Sequence, residues 1–98
     1  MWYVTYIKNN GLSIIVPLFN EQDNISKLYK EITKVLNQSD YDYQIVFVDD
    51  GSTDRSSDEI AKIASRDTRV KQIVLARNFG QTAALSAGLD NATGDIII

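Results

Sequence analysis

A short apolar run that ends in two acids is the feature that most constrains how this chain can fold. Residues 43–48 are mostly β-branched or aromatic, which is typical of a strand buried on both faces in a parallel sheet. Asp49 and Asp50 follow at once, and residues 51–54 combine a glycine for a sharp turn with side-chain oxygens suited to capping a helix. Ligands bind at the carboxyl ends of strands in open α/β sheets, so the acid pair is a candidate binding site. A plain strand-to-helix turn is the alternative.

The other apolar patterns alternate between strand and helix along the chain. Strands are predicted at residues 12–16, 43–48, 70–76 and from 95 to the end. Helices are predicted at residues 25–36, 55–65 and 82–92. Pro17 is expected to stop the first strand, and Ser56 with Glu59 has the spacing of a capping box. The order β-α-β-α-β-α-β implies right-handed crossovers and a Rossmann-like parallel sheet of the α/β class, in one domain covering residues 1–98.

The composition argues against several classes of function. Hydrophobic residues make up 44% of the chain, which is enough for a core. The net charge is −3 without a lysine or arginine cluster, so neither nucleic acid nor an anionic membrane is an expected partner. The chain has no cysteine and no histidine, which excludes thiolate and imidazole metal ligands. Its apolar stretches are far shorter than the roughly 18 residues that span a bilayer.

The loop after the first predicted strand offers further candidate contacts. Pro17, Phe19 and Glu21 leave that strand at the sheet edge where the two acids lie. If the two strands are neighbours, both loops line one crevice, in which Phe19 offers an aromatic wall to a flat ring and Glu21 offers another acceptor. The structural alternative makes Phe19 a packing residue beside the helix start and Glu21 a first-turn acid favoured by the helix dipole.

The loop after the third predicted strand reaches the same edge. Arg77 is a candidate partner for a diphosphate or for an aspartate of the neighbouring loop. Asn78 and Gly80 have the pattern of a common turn. A purely structural loop, in which Phe79 packs against its surroundings, is the alternative.

A carboxylate in such a crevice distinguishes between nucleobases. Uracil and guanine carry a ring N–H from which a carboxylate accepts, whereas neutral cytosine and adenine lack one on that edge. Asp49 or Asp50 as the base-recognising residue therefore indicates a uridine or guanosine nucleotide. We expect both acids to be exposed at the strand end. A divalent cation held by the pair is the alternative. The glycine-rich motifs of dinucleotide-binding and P-loop proteins are not present.

Several stretches of the chain, in this order, resemble the inverting family-2 glycosyltransferases. The resemblance covers residues 12–98 and is nearest to the branch that transfers sugars to polyprenyl phosphates such as dolichyl and undecaprenyl phosphate. It is carried by Ser13-Ile14-Ile15-Val16-Pro17-Leu18-Phe19-Asn20-Glu21, by Val48-Asp49-Asp50-Gly51-Ser52-Thr53-Asp54, by Ala76-Arg77-Asn78-Phe79-Gly80-Gln81, and by Ala84, Ala87-Gly88 and Ala92-x-Gly94-Asp95.

The resemblance implies the N-terminal half of a GT-A fold, truncated before the metal motif, with a nucleotide-sugar site. Pro17, Phe19 and Glu21 would contact the nucleoside, and Asp49 and Asp50 would recognise the base. The full set of expected nucleotide-sugar-binding residues is Pro17, Phe19, Glu21, Asp49, Asp50, Ser52, Arg77, Asn78 and Gly80. The family's metal-binding Asp-x-Asp motif, which would hold Mg²⁺ or Mn²⁺, follows the fourth strand, and the catalytic base lies further on. No catalytic residue and no metal ligand are therefore expected within this chain.

By the same resemblance, the parent protein would be a glycosyltransferase (a hexosyltransferase) that moves a sugar from a UDP- or GDP-sugar to a polyprenyl phosphate or related acceptor. This chain would supply the donor-nucleotide site and would be inactive alone. The expected location is the cytoplasm, with the parent anchored at the cytoplasmic face of the membrane by later transmembrane helices. A non-catalytic nucleotide-binding or assembly module of the same fold is the alternative. The residues do not distinguish uracil from guanine, and they identify neither the sugar nor the acceptor.

The end of the chain carries an expectation of its own. The sequence stops within the predicted fourth strand, at residues 95–98, as a piece of a longer protein would. In the family this strand lies beside the first, and later elements cover it. Uncovered, residues 96–98 would form an apolar edge with unpaired backbone groups, and such edges recruit partners. We therefore expect a homo-oligomer that forms through the C-terminal strand.

Overall fold

The computed structural model describes residues 4–8, 11–91 and 95–96, with the side chains of residues 11–90. Its strands are β1 Val4–Lys8, β2 Gly11–Leu18, β3 Asp42–Asp49, β4 Val70–Val74 and β5 Asp95–Ile96. Its helices are α1 Ile25–Leu36, α2 Ser56–Arg66 and α3 Gln81–Asn91. The three predicted helices are confirmed, and the end predicted for the third at residue 92 lies outside the described residues. None of the helices in these ranges is long and apolar enough to cross a membrane.

The strands form one mixed sheet in the order β4-β3-β2-β1-β5. β2, β3 and β4 are parallel, and α1 and α2 connect them. This arrangement confirms the predicted Rossmann-like α/β fold. β1 is an additional strand that the sequence pattern did not predict, and it pairs antiparallel with β2 on one side and with β5 on the other.

The position of β1 corrects the strand order expected from the resemblance. The C-terminal strand was expected beside β2, but Thr5 lies opposite Ile14 and Tyr6 lies opposite Ile96, so β1 separates the two. The residues of β1 are good strand formers, but a strictly alternating α/β order has no place for an antiparallel strand. Self-association through β5 stays a prediction, and residues 97–98 lie outside the described residues.

Pro17 does not stop the first predicted strand, contrary to the prediction. β2 continues to Leu18, with Pro17 opposite Val48 of β3. The Leu18 carbonyl accepts from the Asp50 N–H at 2.8 Å, so the backbone polar groups of Leu18 face β3. Those of Pro17, one residue earlier, face the other way. The missing N–H of Pro17 therefore removes no hydrogen bond from the β2–β3 ladder.

Helices cover both faces of the sheet and divide the core in two. Phe47 of β3 packs in the cluster covered by α1 and α2, and Val48 packs in the cluster covered by α3. Both side chains are fully buried, which confirms a strand covered on both faces. α3 approaches the sheet closely because Gly88 has no side chain, and a Cβ there would lie 2.3 Å from Ile15. The glycine at this position thus allows α3 to pack closely on the sheet.

Candidate functional site

Three loops meet at the carboxyl edge of the parallel strands. The first loop, residues 19–24, follows β2, the second loop, residues 50–55, follows β3, and the third loop, residues 75–80, follows β4. β3 lies between β2 and β4 in the sheet. The second loop therefore lies between the other two and can bond to each, as the prediction of a shared crevice requires.

The two adjacent acids point to opposite faces of the sheet, because side chains alternate along a strand. Asp49 shares the face of Phe47, which α1 and α2 cover. It is 1% exposed, and its Oδ1 accepts from the Ser52 N–H at 2.8 Å. Its Oδ2 is buried without a hydrogen-bond partner in the part of the chain that the structure describes. Asp49 thus anchors the turn of its own loop.

Asp50 faces α3 and holds the third loop in place. Its Oδ1 accepts from the Phe79 N–H at 2.8 Å, and its Oδ2 accepts from the Gly80 N–H at 3.0 Å and from the Asn78 side-chain amide at 3.2 Å. Asp50 is 4% exposed, so the expectation that both acids are exposed is wrong. The loops bury these carboxylates because N–H donors replace the water that each acid loses.

Arg77 does not pair with an aspartate of the neighbouring loop, which was one of its two predicted roles. Its guanidinium carbon lies 4.6 Å from the centroid of the Phe79 ring, in cation–π geometry. No lysine or arginine of the described ranges forms an ion pair with Asp49 or Asp50. The two buried carboxylates are therefore surrounded by N–H donors rather than by cations.

Gly51 lets the second and third loops touch through their backbones. Its φ is +70°, and a Cβ there would lie 2.2 Å from the carbonyl carbon of Arg77 and 2.4 Å from the nitrogen of Asn78. The predicted sharp turn is confirmed, and the close approach of the third loop adds a second reason for glycine. Gly80 also has a positive φ, +101°, but its Cβ position is open.

A set of hydrogen bonds joins the first loop to the second, and we call this set the clasp. The Asn20 N–H donates to Ser52 Oγ at 2.9 Å, and Asn20 Oδ1 accepts from the Thr53 N–H at 2.8 Å. Nearby, Gln22 Oε1 accepts from the Arg55 N–H at 2.9 Å. The clasp joins these two loops, which together carry four of the nine predicted site residues.

Ser56, the first residue of α2, extends the clasp and does not form the predicted capping box with Glu59. Its Oγ accepts from the Glu21 N–H at 2.9 Å, and the residue is fully buried. Asp54, which precedes the N-cap residue Arg55, satisfies the first N–H of α2 instead, because its Oδ1 accepts from the Ser56 N–H at 2.8 Å. The hydroxyls of Ser52 and Thr53, the other two candidate caps, bond to the first loop. A tertiary contact has thus replaced the local bond that the sequence spacing predicted.

A crevice of about 200 Å³ opens between the first loop and α3. Its lining consists of Pro17, Leu18, Phe19, Glu21, Asp50, Gln81 and Ala84. Phe19 is 43% exposed and forms a wall, whereas the buried Asp50 forms part of the floor. Glu21 Oε2 accepts from the Asn24 side-chain amide at 2.7 Å. The structure therefore brings four predicted site residues together around one small opening.

The other five predicted site residues do not line the crevice. They are Asp49, Ser52, Arg77, Asn78 and Gly80. Asn78 and Gly80 hold Asp50, Ser52 belongs to the clasp, and Asp49 anchors its own turn. These four support the crevice from outside it.

Sequence reasoning did not select Gln81, Leu18 or Ala84, which line the crevice. Gln81 begins α3 directly after the third loop, and that position alone could have marked it as close to the site. Leu18 and Ala84 carry no polar side chain that would identify them. Only the approach of α3 to the end of β2 places them there.

The two acids do not fit a shared metal site. Asp49 and Asp50 lie on opposite faces of the sheet, and both oxygens of Asp50 already accept from N–H donors. Across residues 11–90 no group of three acidic, histidine or cysteine residues could hold a metal ion. The Mg²⁺ or Mn²⁺ expected for the parent protein stays a prediction, with ligands expected after residue 98.

Comparison with known proteins gives a family match over most of the chain. The model of the family described as Glycosyl transferase family 2 matches residues 13–98. The chain is 36% identical over 95 residues to an undecaprenyl-phosphate 4-deoxy-4-formamido-L-arabinose transferase from Proteus mirabilis (strain HI4320), with 96% of this chain and 29% of the relative covered. It is 42% identical over 87 residues to a prophage bactoprenol glucosyl transferase homolog from Escherichia coli (strain K12), with 89% of this chain and 28% of the relative covered.

A further relative is the putative glycosyltransferase CsbB from Bacillus subtilis (strain 168). It is 37% identical to this chain over 92 residues, which cover 94% of this chain and 28% of the relative. The chain thus spans a little more than a quarter of the length of the curated relatives that it matches.

Proposed function

Since the chain belongs to glycosyl transferase family 2, we propose that its crevice binds the nucleobase of a nucleotide-sugar donor. The single observation that carries this proposal is the pairing of an exposed aromatic ring, Phe19, with a buried carboxylate, Asp50, in one opening. A ring wall suits stacking of a flat base, and a carboxylate suits a ring N–H. The volume of about 200 Å³ is below the roughly 300–1,000 Å³ of whole-ligand pockets, so the crevice suits the base rather than the whole donor.

Asp50, rather than Asp49, is the proposed base-recognising residue. An ionised carboxylate offers about four lone-pair sites. In Asp50, Oδ2 accepts two hydrogen bonds and Oδ1 accepts one, which leaves one site on Oδ1. Asp49 also has a free oxygen, but it lies on the other face of the sheet and does not line the crevice.

The single remaining acceptor site favours uracil over guanine. Uracil presents one ring N–H between two carbonyls, whereas guanine presents its ring N–H beside an exocyclic amine that is also a donor. A carboxylate with both oxygens free could accept both guanine donors, but both sites of Asp50 Oδ2 are taken by Asn78 and Gly80. We therefore propose a UDP-sugar as the donor.

The remaining roles of the parent protein are proposed from the relatives. One of them is an undecaprenyl-phosphate sugar transferase and another a bactoprenol glucosyl transferase homolog. We propose that the parent of this chain likewise transfers a sugar to a polyprenyl phosphate, at the cytoplasmic face of the membrane. An acceptor phosphate oxygen would form a bond to the anomeric carbon while the bond to the nucleoside diphosphate breaks. Arg77, an exposed residue of the third loop, is the proposed contact for that diphosphate.

Calorimetric or NMR titration of the chain with UDP, GDP, ADP and CMP tests this proposal. UDP is expected to bind most tightly, GDP less tightly, and ADP and CMP most weakly. An equal response to all four nucleotides would remove the base-recognition role of the crevice. A preference for GDP over UDP would leave base recognition intact and would overturn only the proposal that the single free acceptor site of Asp50 favours uracil.

A further inference from the structure

Asn20 lies between two crevice residues in a backbone conformation that is uncommon for its type. Its φ is +53°, in the left-handed region that asparagine tolerates better than most residues. Phe19 and Glu21, its two chain neighbours, both line the crevice. The direction in which these two side chains leave the first loop therefore depends on the backbone of Asn20.

The side chain of Asn20 reaches the second loop at its turn. Oδ1 accepts from the Thr53 N–H at 2.8 Å and from the Asp54 N–H at 3.3 Å, and Nδ2 donates to Thr53 Oγ1 at 3.3 Å. The backbone N–H of Asn20 donates to Ser52 Oγ at 2.9 Å. Both ends of the residue are thus bonded to the loop that begins with Asp50.

The two loops hold different parts of the base crevice. The first loop carries the Phe19 wall, and the second loop carries the Asp50 floor. A base that stacks on Phe19 can donate to Asp50 only if the distance and angle between wall and floor are fixed. We propose that Asn20 is a positioning residue that sets this geometry and thereby the base preference of the crevice. The proposal rests on the proposed nucleotide site.

A purely structural role for Asn20 has a different consequence. The Thr53 and Asp54 N–H groups lie just before α2, so Asn20 also satisfies donors at the start of that helix. If this were its whole role, its loss would lower stability without changing which base binds. The ratio of UDP to ADP affinity separates the two roles, because a general loss of stability does not distinguish between bases.

Gln22 supplies a matched control. Its Oε1 accepts from the Arg55 N–H at 2.9 Å, so it joins the same two loops with the same type of bond. It does not line the crevice, and it does not adjoin Phe19. Gln22→Ala therefore removes a comparable clasp bond away from the wall.

The variants to compare are Asn20→Gly, Asn20→Asp and Gln22→Ala. Asn20→Gly keeps the left-handed backbone and removes the side-chain bonds. Asn20→Asp keeps the acceptor oxygen and tolerates the same backbone. The other clasp bonds, including that from the Glu21 N–H to the buried Ser56 Oγ, remain in all three variants.

Titration with UDP and ADP, with circular dichroism as a folding check, tests the proposal in the full chain. Asn20→Gly should lower the UDP-to-ADP affinity ratio about fivefold, as the loss of one net hydrogen bond implies. Asn20→Asp should restore most of the ratio, and Gln22→Ala should leave it unchanged. An unchanged ratio in Asn20→Gly, or an equal fall in Gln22→Ala, overturns the assignment of Asn20.

The controls separate this proposal from the proposed function. A wild-type chain that binds UDP and ADP equally overturns the nucleotide site and, with it, the role of Asn20. If the wild-type chain prefers UDP over ADP and Asn20→Gly keeps that preference, only the role of Asn20 is overturned. If Asn20→Gly does not fold, Ser52→Ala removes the acceptor of the Asn20 N–H and is expected to lower the same ratio. An unchanged ratio in a folded Ser52→Ala chain would then contradict the proposal.

Discussion

The two edges of the parallel sheet treat buried or half-buried acids in opposite ways. At the carboxyl edge, Asp49 and Asp50 accept from N–H groups of the loops and have no cationic partner among the residues described. At the amino edge, Asp67 accepts from Tyr29 Oη at 2.6 Å and from Arg69 Nε at 3.0 Å. The carboxyl edge leaves hydrogen-bond acceptor sites of Asp49 and Asp50 open, whereas the amino edge fills those of Asp67.

Hydrogen bonds and a ring contact join the amino-edge group, which consists of Tyr29, Asn37, Tyr43, Asp67 and Arg69. Asn37 Oδ1 accepts from Tyr43 Oη at 2.8 Å and from Arg69 Nη1 at 3.2 Å, and the Arg69 guanidinium lies 4.3 Å from the centre of the Tyr43 ring. Hydrogen bonds from Arg69 and Tyr29 hold the pKa of Asp67 well below its usual range. The bond to Asp67 and burial raise the pKa of Tyr29.

This difference separates a structural acid from a candidate binding acid. Asp67, which is paired with Arg69 and accepts from Tyr29, links α1 to the residues just before β4 and has little left to offer a ligand. A carboxylate held only by N–H groups keeps its charge uncompensated and an acceptor site free. The burial of an acid is thus less informative about function than the identity of its partners.

Gly51→Ala is expected to have the largest effect, because the carboxyl edge depends on contact between backbones. A Cβ at this position would lie 2.2 Å from the Arg77 carbonyl carbon, and the φ of +70° adds strain. We expect the free energy of unfolding to fall by about 4 kcal/mol from clash and strain together. Urea denaturation measures the change.

Gly80→Ala is the matched control for this prediction. It has a positive φ of +101° but no atom within 4 Å of its Cβ position. Strain alone should then cost about 1–2 kcal/mol. Equal losses in the two variants would show that the loops do not approach as closely as the structure indicates.

Asp50→Ala should weaken both stability and nucleotide binding. The Phe79 and Gly80 N–H groups lose an ionised acceptor, and we expect the free energy of unfolding to fall by about 2 kcal/mol. UDP affinity should fall more than about tenfold, since a charge-assisted hydrogen bond contributes roughly 1.5–3 kcal/mol. Urea denaturation and UDP titration measure the two effects.

Asp49→Asn keeps the size of the neighbouring acid and is the control for base recognition. It should leave the preference for UDP over ADP unchanged, because Asp49 lies on the other face of the sheet. If Asp49→Asn abolished that preference while Asp50→Ala retained it, the assignment of the two acids would have to be exchanged.

Asp67→Ala should lower stability without affecting nucleotide binding. It breaks the bonds to Tyr29 and Arg69, and we expect a loss of about 1–2 kcal/mol. The Arg69 side chain is 41% exposed, so solvent screening keeps this value small. Thermal melts and UDP titration check both parts. A changed UDP affinity would mean that the two edges are coupled.

The acid limb of the stability curve should show the smallest effect. The folded-state pKa of Asp67 lies below its unfolded value near 3.9, so its contribution is fully present above that pH and is lost as the pH falls. We expect a loss of about 1 kcal/mol or less per pH unit below pH 4. Asp67→Asn should flatten this part of the curve. If the stability of the wild-type chain and that of Asp67→Asn fall with the same slope below pH 4, other carboxylates account for the acid sensitivity.

Sequence patterns predicted the alternating part of the fold well, because period and burial are local properties. The run 43–48 corresponds to β3, which is buried on both faces. The apolar stripe of α1 corresponds to the one buried face of that helix. β1 was missed because an alternating α/β order has no place for an antiparallel strand, although β1 pairs with β2, the next strand along the chain. The capping box was wrong because Ser56 found a partner in the Glu21 N–H, in a different loop.

The sequence alone determined the α/β class, the family resemblance and the loops that carry the candidate site, since each follows from residue order and short-range pattern. The tertiary structure decided which of two adjacent acids faces the crevice, because alternation along β3 and the position of α3 assign Asp50 to it and Asp49 to the opposite face. It also decided how many hydrogen-bond acceptor sites of each carboxylate stay free for a ligand. That quantity depends on N–H donors some thirty residues away, such as those of Phe79 and Gly80, which local sequence cannot place.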